Sequence, residues 1–444
     1  MRVVVFALAV VSPLAAATLE IEAKLLQATP TPEAEQVAPY PRALCTYLYQ
    51  VRKVHAGSYA DDKILVVKWA VWKKARLERL PSEIGSIERL NLDRWIDHPE
   101  FVRERIVDAI GEKDLVIYYD GGSKPAAGES PPAGRGKESA GVVVRGGSAG
   151  WLFLADELRH VGTGRFWEKD WKEVSRAGVD PLPAMLDFQR RLAALETKLL
   201  IVPVPAKVGI YPERLGKNIK VEPQAAFLQR LQDAGLNVLD LEPVFAEHRK
   251  DPANRPLYLA QDSHWSPEGC RVAAAAISRR LKNCVRNSST RIRMVPNQGM
   301  EIRGDLARMA GDTGLPKELV TLDRVSYGDD GPVVGWSDPA SPIVLLGDSH
   351  VTVFSEGTEE LHGAGGGLPD YLLMQFGYPM DVVASHGDGV HQARVNLYRR
   401  GALNPQASGY WENKQWVIWV FAAREFTRAE RWSTKVPVVP PPKN

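Results

Sequence analysis

The tripeptide Asp-Ser-His occurs twice in this chain, as Asp262-Ser263-His264 in YLAQDSHWSPEG and as Asp348-Ser349-His350 in IVLLGDSHVTVF. Each carries a hydroxyl, an imidazole and a carboxylate, the three groups that nucleophilic acyl transfer requires. A serine hydroxyl is a weak nucleophile until a base takes its proton, and the base needs a third group to fix its tautomer and stabilise the imidazolium. The two copies divide that labour naturally. Ser349 supplies the nucleophile, His264 the base, and Asp262, in the same loop as His264, the carboxylate that orients it. A rival chemistry is a metal site, since Asp262, His264, Asp348 and His350 are all acceptable ligands for zinc, manganese or iron. Against it, His350 directly follows Ser349, so the two side chains should diverge. The third reading has no chemistry: GDS after a strand and D-x-H before a helix also serve as polar turns and caps.

The elements that would position these groups follow from periodicity. Ile343 to Leu346 is a short apolar run of the kind expected for a strand covered on both faces, and Gly347 permits a sharp turn that would expose Ser349 at its end. Ligands in open α/β sheets bind beyond the carboxyl ends of the strands, so this tripeptide sits where chemistry is usually done. The other copy precedes a helix, with Ser266 as N-cap and Pro267 at the first helical position, running through Ala273–Ala276 to about Lys282. Met185, Phe188, Leu192, Leu195 and Leu199 recur at helical spacing, and LLIVPVP after them reads as a buried strand. Residues 223–234 form a second helix stopped by Gly235, NVLDLEPVF the next strand, and QWVIWVF a terminal one. Alternating helices and strands predict an α/β sandwich with a mostly parallel sheet.

Upstream, CTYLYQVRKV, KILVVKWAVW, SIERLNLDRW and DLVIYYD are β-branched and aromatic runs between turns, which predict a small β-rich domain over 39–120. The sequence divides as a signal peptide at 1–17, a linker at 18–38, that domain, a Gly/Pro-rich linker at 121–140, the α/β domain at 141–430 and a Pro-rich tail at 431–444. The signal peptide is read from one Arg, the apolar run Val3–Val11 and Ala15-Ala16-Ala17 as cleavage site. An uncleaved membrane anchor is the alternative, although the run is short of the ~20 residues of a span. Either way the rest of the chain is expected outside the cytoplasm, periplasmic or secreted.

With 56 basic and 54 acidic residues among 444, the net charge of +2 gives no reason to expect nucleic acid as partner. A hydrophobic content of 44% and a charged content of 25% are those of a folded soluble protein. Cys270 and Cys284 bracket a helix and would stand about 20 Å apart, too far to bond. A disulfide would therefore need Cys45. Flat side chains that can stack on sugar rings are Trp69, Trp72 and Trp95 in the small domain and Trp151, Trp167, Trp171 and Trp265 in the larger. Core packing is the competing use for Trp69 and Trp151, which sit in apolar runs. Trp265, next to His264, is the better candidate for a pocket wall.

GWLFLADELRHVG, LLIVPVPAKVGIYPERL, QDSHWSPEG, VLLGDSH and VIWVFAAREF, in that order over about 141–430, resemble the alginate O-acetyltransferase family, SGNH-hydrolase-like proteins of the periplasm that acetylate exopolysaccharide. The resemblance implies an SGNH-type three-layer α/β/α fold in which the Asp-x-His pair precedes the serine. It assigns Ser349 as nucleophile, His264 as base and Asp262 as its partner, through an acetyl-serine intermediate and with no cofactor or metal. It also implies an acetylated donor, a polysaccharide acceptor and a membrane acyltransferase among exopolysaccharide-assembly partners. A carbohydrate acetylesterase and a catalytically silent polysaccharide-binding component remain alternatives. The Ser349 N–H is one expected oxyanion donor, and Gln392 and Arg394, in the polar loop HGDGVHQAR, are candidates for substrate binding. The chain departs from the family at His350, where members carry an aromatic residue, and at Phe421-Ala422-Ala423-Arg424, where an acidic residue and a proline usually precede the arginine. The β-rich domain has no counterpart in the alginate enzymes.

Overall fold

The computed structural model describes residues 19–440 except 38–39, 78–82, 99–100, 102–103, 126–141, 217–220, 287–290, 297–298, 313, 328–336, 356–362, 388 and 404–408. The expected signal peptide and most of the 121–140 linker lie outside the described residues.

The chain enters as a strand, where a linker was expected over 18–38. Leu19–Ala28 (β1) buries Leu19, Ile21, Ala23 and Leu25 and turns the residues between them outward. That is the period of two that a half-buried strand imposes. Charged Glu20, Glu22 and Lys24 take the outward face. Four further strands, Ala43–Ala56 (β2), Lys63–Trp72 (β3), Ile87–Arg94 (β4) and Ile117–Asp120 (β5), follow, and the two-residue strands Ala75–Arg76 and Ile106–Val107 pair with β3 and β2 respectively. β1 pairs antiparallel with β2 and β4, β2 with β3, and β4 with β5, while β3 and β5 run parallel. The order β1-β2-β3-β5-β4 returns to β1, so these five strands close into a barrel, which removes exposed edges. Trp69 is buried in this unit, donating from Nε1 to the Tyr119 hydroxyl at 3.1 Å and packing edge-on to Trp72 at 4.8 Å and Phe101 at 5.6 Å. Trp72 and Trp95 lie half-buried against the same cluster. Trp69 and Trp72 pack against protein, and Trp95 also lines a cavity.

The second unit is built on Lys198–Val204 (β6), Ile343–Gly347 (β7), Asp381–Ala384 (β8) and Trp416–Ala422 (β9), in the order β6-β9-β7-β8 with every pairing parallel. Alternate residues feed two cores. Leu200, Val202, Ile343, Leu345, Ile418 and Val420 face one, and Leu199, Ile201, Val344, Leu346, Val417 and Trp419 face the other. Helices Leu182–Ala193 (α1), Ala225–Asp233 (α2) and Gly389–Tyr398 (α6) cover the second face. Pro267–Arg280 (α3) and Leu368–Phe376 (α5) cover the first. Each large aliphatic side chain buried in this way contributes roughly 1.5–3 kcal/mol, and β7 and β9 have neighbours on both sides.

Local expectations are met unevenly. Ser266 caps α3 by accepting from the Gly269 N–H at 3.2 Å, with Pro267 at the first position. The helical spacing from Met185 stops at Ala193, because Glu196 turns the chain with a φ of +56° and Leu199 belongs to β6. NVLDLEPVF does not form the predicted strand: Val238 makes a single parallel bridge to Ile201, and Glu242–His248 is helical. Residues 431–440 are not a free tail, since Trp432, Val436 and Val438 are buried. All three cysteines are free and buried, Cys45 in β2, Cys270 in α3 and Cys284 in the short turn after it. No helix among the described residues is long and apolar enough to cross a membrane.

The two units touch through polar ties and an apolar seam. Tyr398 donates to Asp114 at 2.7 Å, and Arg399 donates to the Glu112 carbonyl at 2.7 Å and stands 3.6 Å from Asp108. Ile106 and Ile117 of the barrel unit face Val382 and Val383 of β8 across a small cavity.

Candidate active site

The two Asp-Ser-His tripeptides meet at the carboxyl end of the parallel sheet. β7 ends at Gly347, and Ser349–Thr352 (α4) begins the turn that follows, with Asp348 as its N-cap. Gly347 is required here for space. A Cβ on it would stand 2.3 Å from the Val420 carbonyl of β9 and 2.6 Å from a Val351 methyl. Asp348 accepts from the His350 N–H at 2.9 Å, the His350 Nδ1 at 3.0 Å and the Ala422 N–H at 3.1 Å. It therefore closes the turn that aims Ser349. Burial pushes the His350 imidazole down to about 4 against the opposing charge of Asp348, so this ring is neutral.

Ser349 Oγ lies 2.8 Å from His264 Nε2, and His264 Nδ1 lies 2.7 Å from Asp262 Oδ1. All three side chains are nearly or wholly buried. With Nδ1 held by the carboxylate, Nε2 is the nitrogen free to take the serine proton. Asp262 is fixed in turn: the His264 N–H donates to its Oδ1 at 2.9 Å and the Asp305 N–H to its Oδ2 at 2.9 Å. Ser263 is engaged by Asp305, which accepts from its N–H at 2.6 Å and from its hydroxyl. Burial alone would lower the His264 pKa, but the hydrogen bond and charge of Asp262, together with Asp305, outweigh it and raise the imidazole above its ordinary value.

The loop bearing Asp262 and His264 is cradled from below. Lys207, buried, donates its three Nζ hydrogens to the carbonyls of Leu152 at 2.7 Å, Ala260 at 2.9 Å and Asp262 at 2.9 Å. Glu318 accepts from the Ala260 N–H at 2.7 Å and the Gln261 N–H at 2.6 Å. Gly304 passes so close that a Cβ would stand 2.1 Å from the Gln261 carbonyl. Above the triad opens a cleft of about 350 Å³, lined by Tyr40, Arg105, Ser349, His264, Arg424 and Glu425 among others. Burial opposes the charge of Arg424, but Glu425, Asp348 and Glu157 outweigh it, so a cation is held beside the site. Burial pushes Glu425 up to about 7.

A family model described as an SGNH hydrolase-like domain, acetyltransferase AlgX, matches residues 144–422. The chain belongs to this family. It is 31% identical over 149 residues to the probable alginate O-acetylase AlgJ of Pseudomonas aeruginosa, covering 32% of this chain and 33% of that protein. To the protein of the same name from Pseudomonas syringae pv. tomato it is 27% identical over 231 residues, 49% of this chain and 53% of the relative. The chain thus matches between a third and about half the length of these relatives. Among solved structures, the O-acetyltransferase domain of Pseudomonas putida AlgJ aligns at 18% identity and a TM-score of 0.47, covering 64% of this chain and 92% of that domain. The fold is SGNH hydrolase-like, of mixed α/β content, preceded by the β-rich unit.

Not every residue singled out in sequence comes to this site. Trp265 is buried, and its Nε1 donates to the His350 carbonyl at 3.0 Å, so it braces the nucleophile turn from beneath instead of walling the pocket. HGDGVHQAR is not a loop beyond Gly389, where α6 begins. Gln392 on that helix bonds Asn396 at 3.0 Å and lines an adjoining cleft with Arg105 and His391. Arg394 points into the core between Phe188 and Trp419, its carbon Cζ 5.9 and 5.7 Å from their rings, and only 1% exposed. The four residues weighed as metal ligands do not form one cluster, because Asp348 and His350 bind each other. Among the described residues, the group with ligand atoms in mutual reach is Asp262, His264 and Asp305, and both His264 nitrogens are already engaged there. Sequence reading missed Asp305, Lys207 and Glu318, whose partners lie 42 to 58 residues away and leave no local pattern. It also missed Tyr40, although APYPR, a tyrosine between two prolines, marks a stiff segment.

Proposed function

We propose that this protein is an exported O-acyltransferase that moves acetyl groups onto hydroxyls of an exopolysaccharide through an acetyl-serine intermediate. The observation that carries the reading is the chain Ser349–His264–Asp262, with contacts of 2.8 and 2.7 Å at the end of β7. In the first half-reaction Ser349 Oγ attacks the acetyl carbon of the donor while its proton passes to His264 Nε2. The tetrahedral adduct collapses, the leaving oxygen takes that proton, and acetyl remains on Ser349. In the second, a sugar hydroxyl gives its proton to His264 and attacks the acetyl-serine. Asp262 holds the imidazole and stabilises its charged form throughout. No cofactor enters these steps.

The family membership and the names of the AlgJ relatives support acetyl transfer to a polysaccharide of the alginate type. The parallel pairings of the four strands, with helices on both faces, support the three-layer SGNH arrangement. Export after cleavage near Ala17, a periplasmic setting and acetyl delivery by a membrane acyltransferase complete the proposal.

The test is turnover of p-nitrophenyl acetate by the purified chain. Ser349→Ala is expected to reduce it at least about 10³-fold, and intact-mass measurement should find an acetyl adduct on the wild type alone. Adding an oligosaccharide acceptor should divert acetyl from water to sugar. Release of acetate that no acceptor diverts would make the protein an acetylesterase. Full turnover by the Ser349→Ala variant would defeat the reading, and tight glycan binding without turnover would leave a binding component.

A further inference from the structure

Of the residues lining the active-site cleft, Tyr40 and Arg105 belong to the barrel unit, outside the residues matched by the family model. The Tyr40 side chain lines the same cleft as Ser349 and His264. Its ring lies against His386, with centroids 4.9 Å apart, and beneath the Arg105 guanidinium at 5.9 Å. Arg105 in turn packs against Gly387, where a Cβ would stand 2.7 Å from a guanidinium nitrogen.

The segment that delivers Tyr40 is stiff. Tyr40 precedes Pro41, which disfavours helical backbone at residue 40. The Tyr40 N–H bonds the Val37 carbonyl at 3.1 Å, and the Pro41 carbonyl accepts from the Lys74 N–H at 2.8 Å. Arg42 then bonds Glu104 at 2.5 Å and lies over Trp69 and Trp72 at 5.8 and 5.5 Å. A side chain held at both ends in this way is a preorganised donor, the arrangement that stabilises developing charge most effectively.

We infer that Tyr40 is a catalytic residue supplied by the N-terminal barrel, its hydroxyl donating a hydrogen bond to the carbonyl oxygen as that oxygen becomes negative in the tetrahedral adduct on Ser349. The inference rests on the acyl-serine chemistry proposed above. As Ser349 Oγ bonds to the acetyl carbon, its proton goes to His264 and the carbonyl π pair moves onto oxygen. Tyr40 donates to that oxygen without giving up its proton, and the pair returns when the leaving group departs. The oxyanion forms on the carbon bonded to Oγ, two bonds from Oγ and inside the cleft that the Tyr40 phenol lines. Burial pushes the Tyr40 hydroxyl up to about 12, against the lowering influence of Ser349 and Arg105, so it keeps its proton at neutral pH and can donate.

The experiment compares wild type, Tyr40→Phe and Ser349→Ala on p-nitrophenyl acetate, with phenylboronic acid as a probe whose tetrahedral serine adduct is an anion with a boron-bound oxygen in the oxyanion's place. Tyr40→Phe should lower kcat about 10²-fold with KM unchanged within about twofold. Its affinity for the boronic acid should fall by a comparable factor, and its melting temperature should match wild type. If Tyr40→Phe keeps kcat within twofold while Ser349→Ala is inactive, the assignment of Tyr40 fails and the serine chemistry stands. If kcat falls but boronic acid binds as before, Tyr40 only shapes the pocket, which also overturns the inference. Turnover by Ser349→Ala overturns both.

Discussion

At the scale of single residues, the site works by separating two like sequences into unlike tasks. In one tripeptide the serine is free to react, and its neighbours Asp348 and His350 bind each other to hold the turn. In the other, Ser263 is held by Asp305, and His264, oriented by Asp262, turns its Nε2 to Ser349. A pH dependence follows. His264 must be neutral to accept a proton, and its pKa lies above the ordinary value because Asp262 and Asp305 outweigh its burial. The kcat/KM for an acetyl ester should therefore fall as pH drops through that raised value and level off above it. Asp262→Asn removes the charge that raises it and leaves the burial that lowers it, so the inflection should move to lower pH. The same change should cut kcat by about 10²–10⁴-fold, because the imidazole loses its orienting carboxylate. A pH–rate profile of the two proteins checks both, and an unmoved inflection would contradict the assignment.

At the scale of elements, the reactive groups sit on segments fixed by partners from several parts of the fold. β7 positions Ser349 because it is bonded on both edges and covered on both faces. The loop before α3 has no such ladder, and Lys207 stands in for one by gathering three buried carbonyls. Lys207→Met would fill similar space yet leave those acceptors unpaired, at a cost of about 1–3 kcal/mol for each that finds no water. A loss of about 2–4 kcal/mol in stability is expected, with a fall in kcat larger than any rise in KM, since Asp262 and His264 shift while the cleft walls remain. Thermal melting and steady-state kinetics on one preparation would show whether both effects appear together.

At the scale of the whole molecule, the barrel and the α/β unit share one cleft, so their mutual placement enters the chemistry. Tyr398 and Arg399, at the end of α6, tie to Asp114, Glu112 and Asp108 of the barrel unit. Tyr398→Phe combined with Arg399→Met should loosen that docking and lower turnover by letting Tyr40 drift from Ser349. In a cycle with Tyr40→Phe the losses should be less than additive, with a coupling of about 0.5–3 kcal/mol. Strict additivity would mean that the ties and Tyr40 act independently. The barrel thus lends Tyr40 and Arg105 to the active-site cleft, a role that its aromatic residues, packed against one another, do not suggest by themselves.

What the sequence determined alone was whatever local pattern can carry. The apolar runs of β6, β7 and β9, the Ser266-Pro267 start of α3 and the two Asp-Ser-His copies are visible because their signals repeat over a few residues. Local pattern also misled. Arg394 and Trp265 look available beside polar and catalytic neighbours, yet both are buried, Arg394 between Phe188 and Trp419 and Trp265 under His350. β1 lies where a linker is expected, although its charges alternate with buried residues, and its partners come later in the chain. Tertiary structure decided the rest: that His264 meets Ser349 across 85 residues, that Asp305 claims Ser263, that five strands close on themselves, and that a tyrosine near the start shares a cleft with a serine far along the chain. Such contacts are chosen by how whole surfaces pack, and packing between distant segments imposes no spacing that the segments themselves could record.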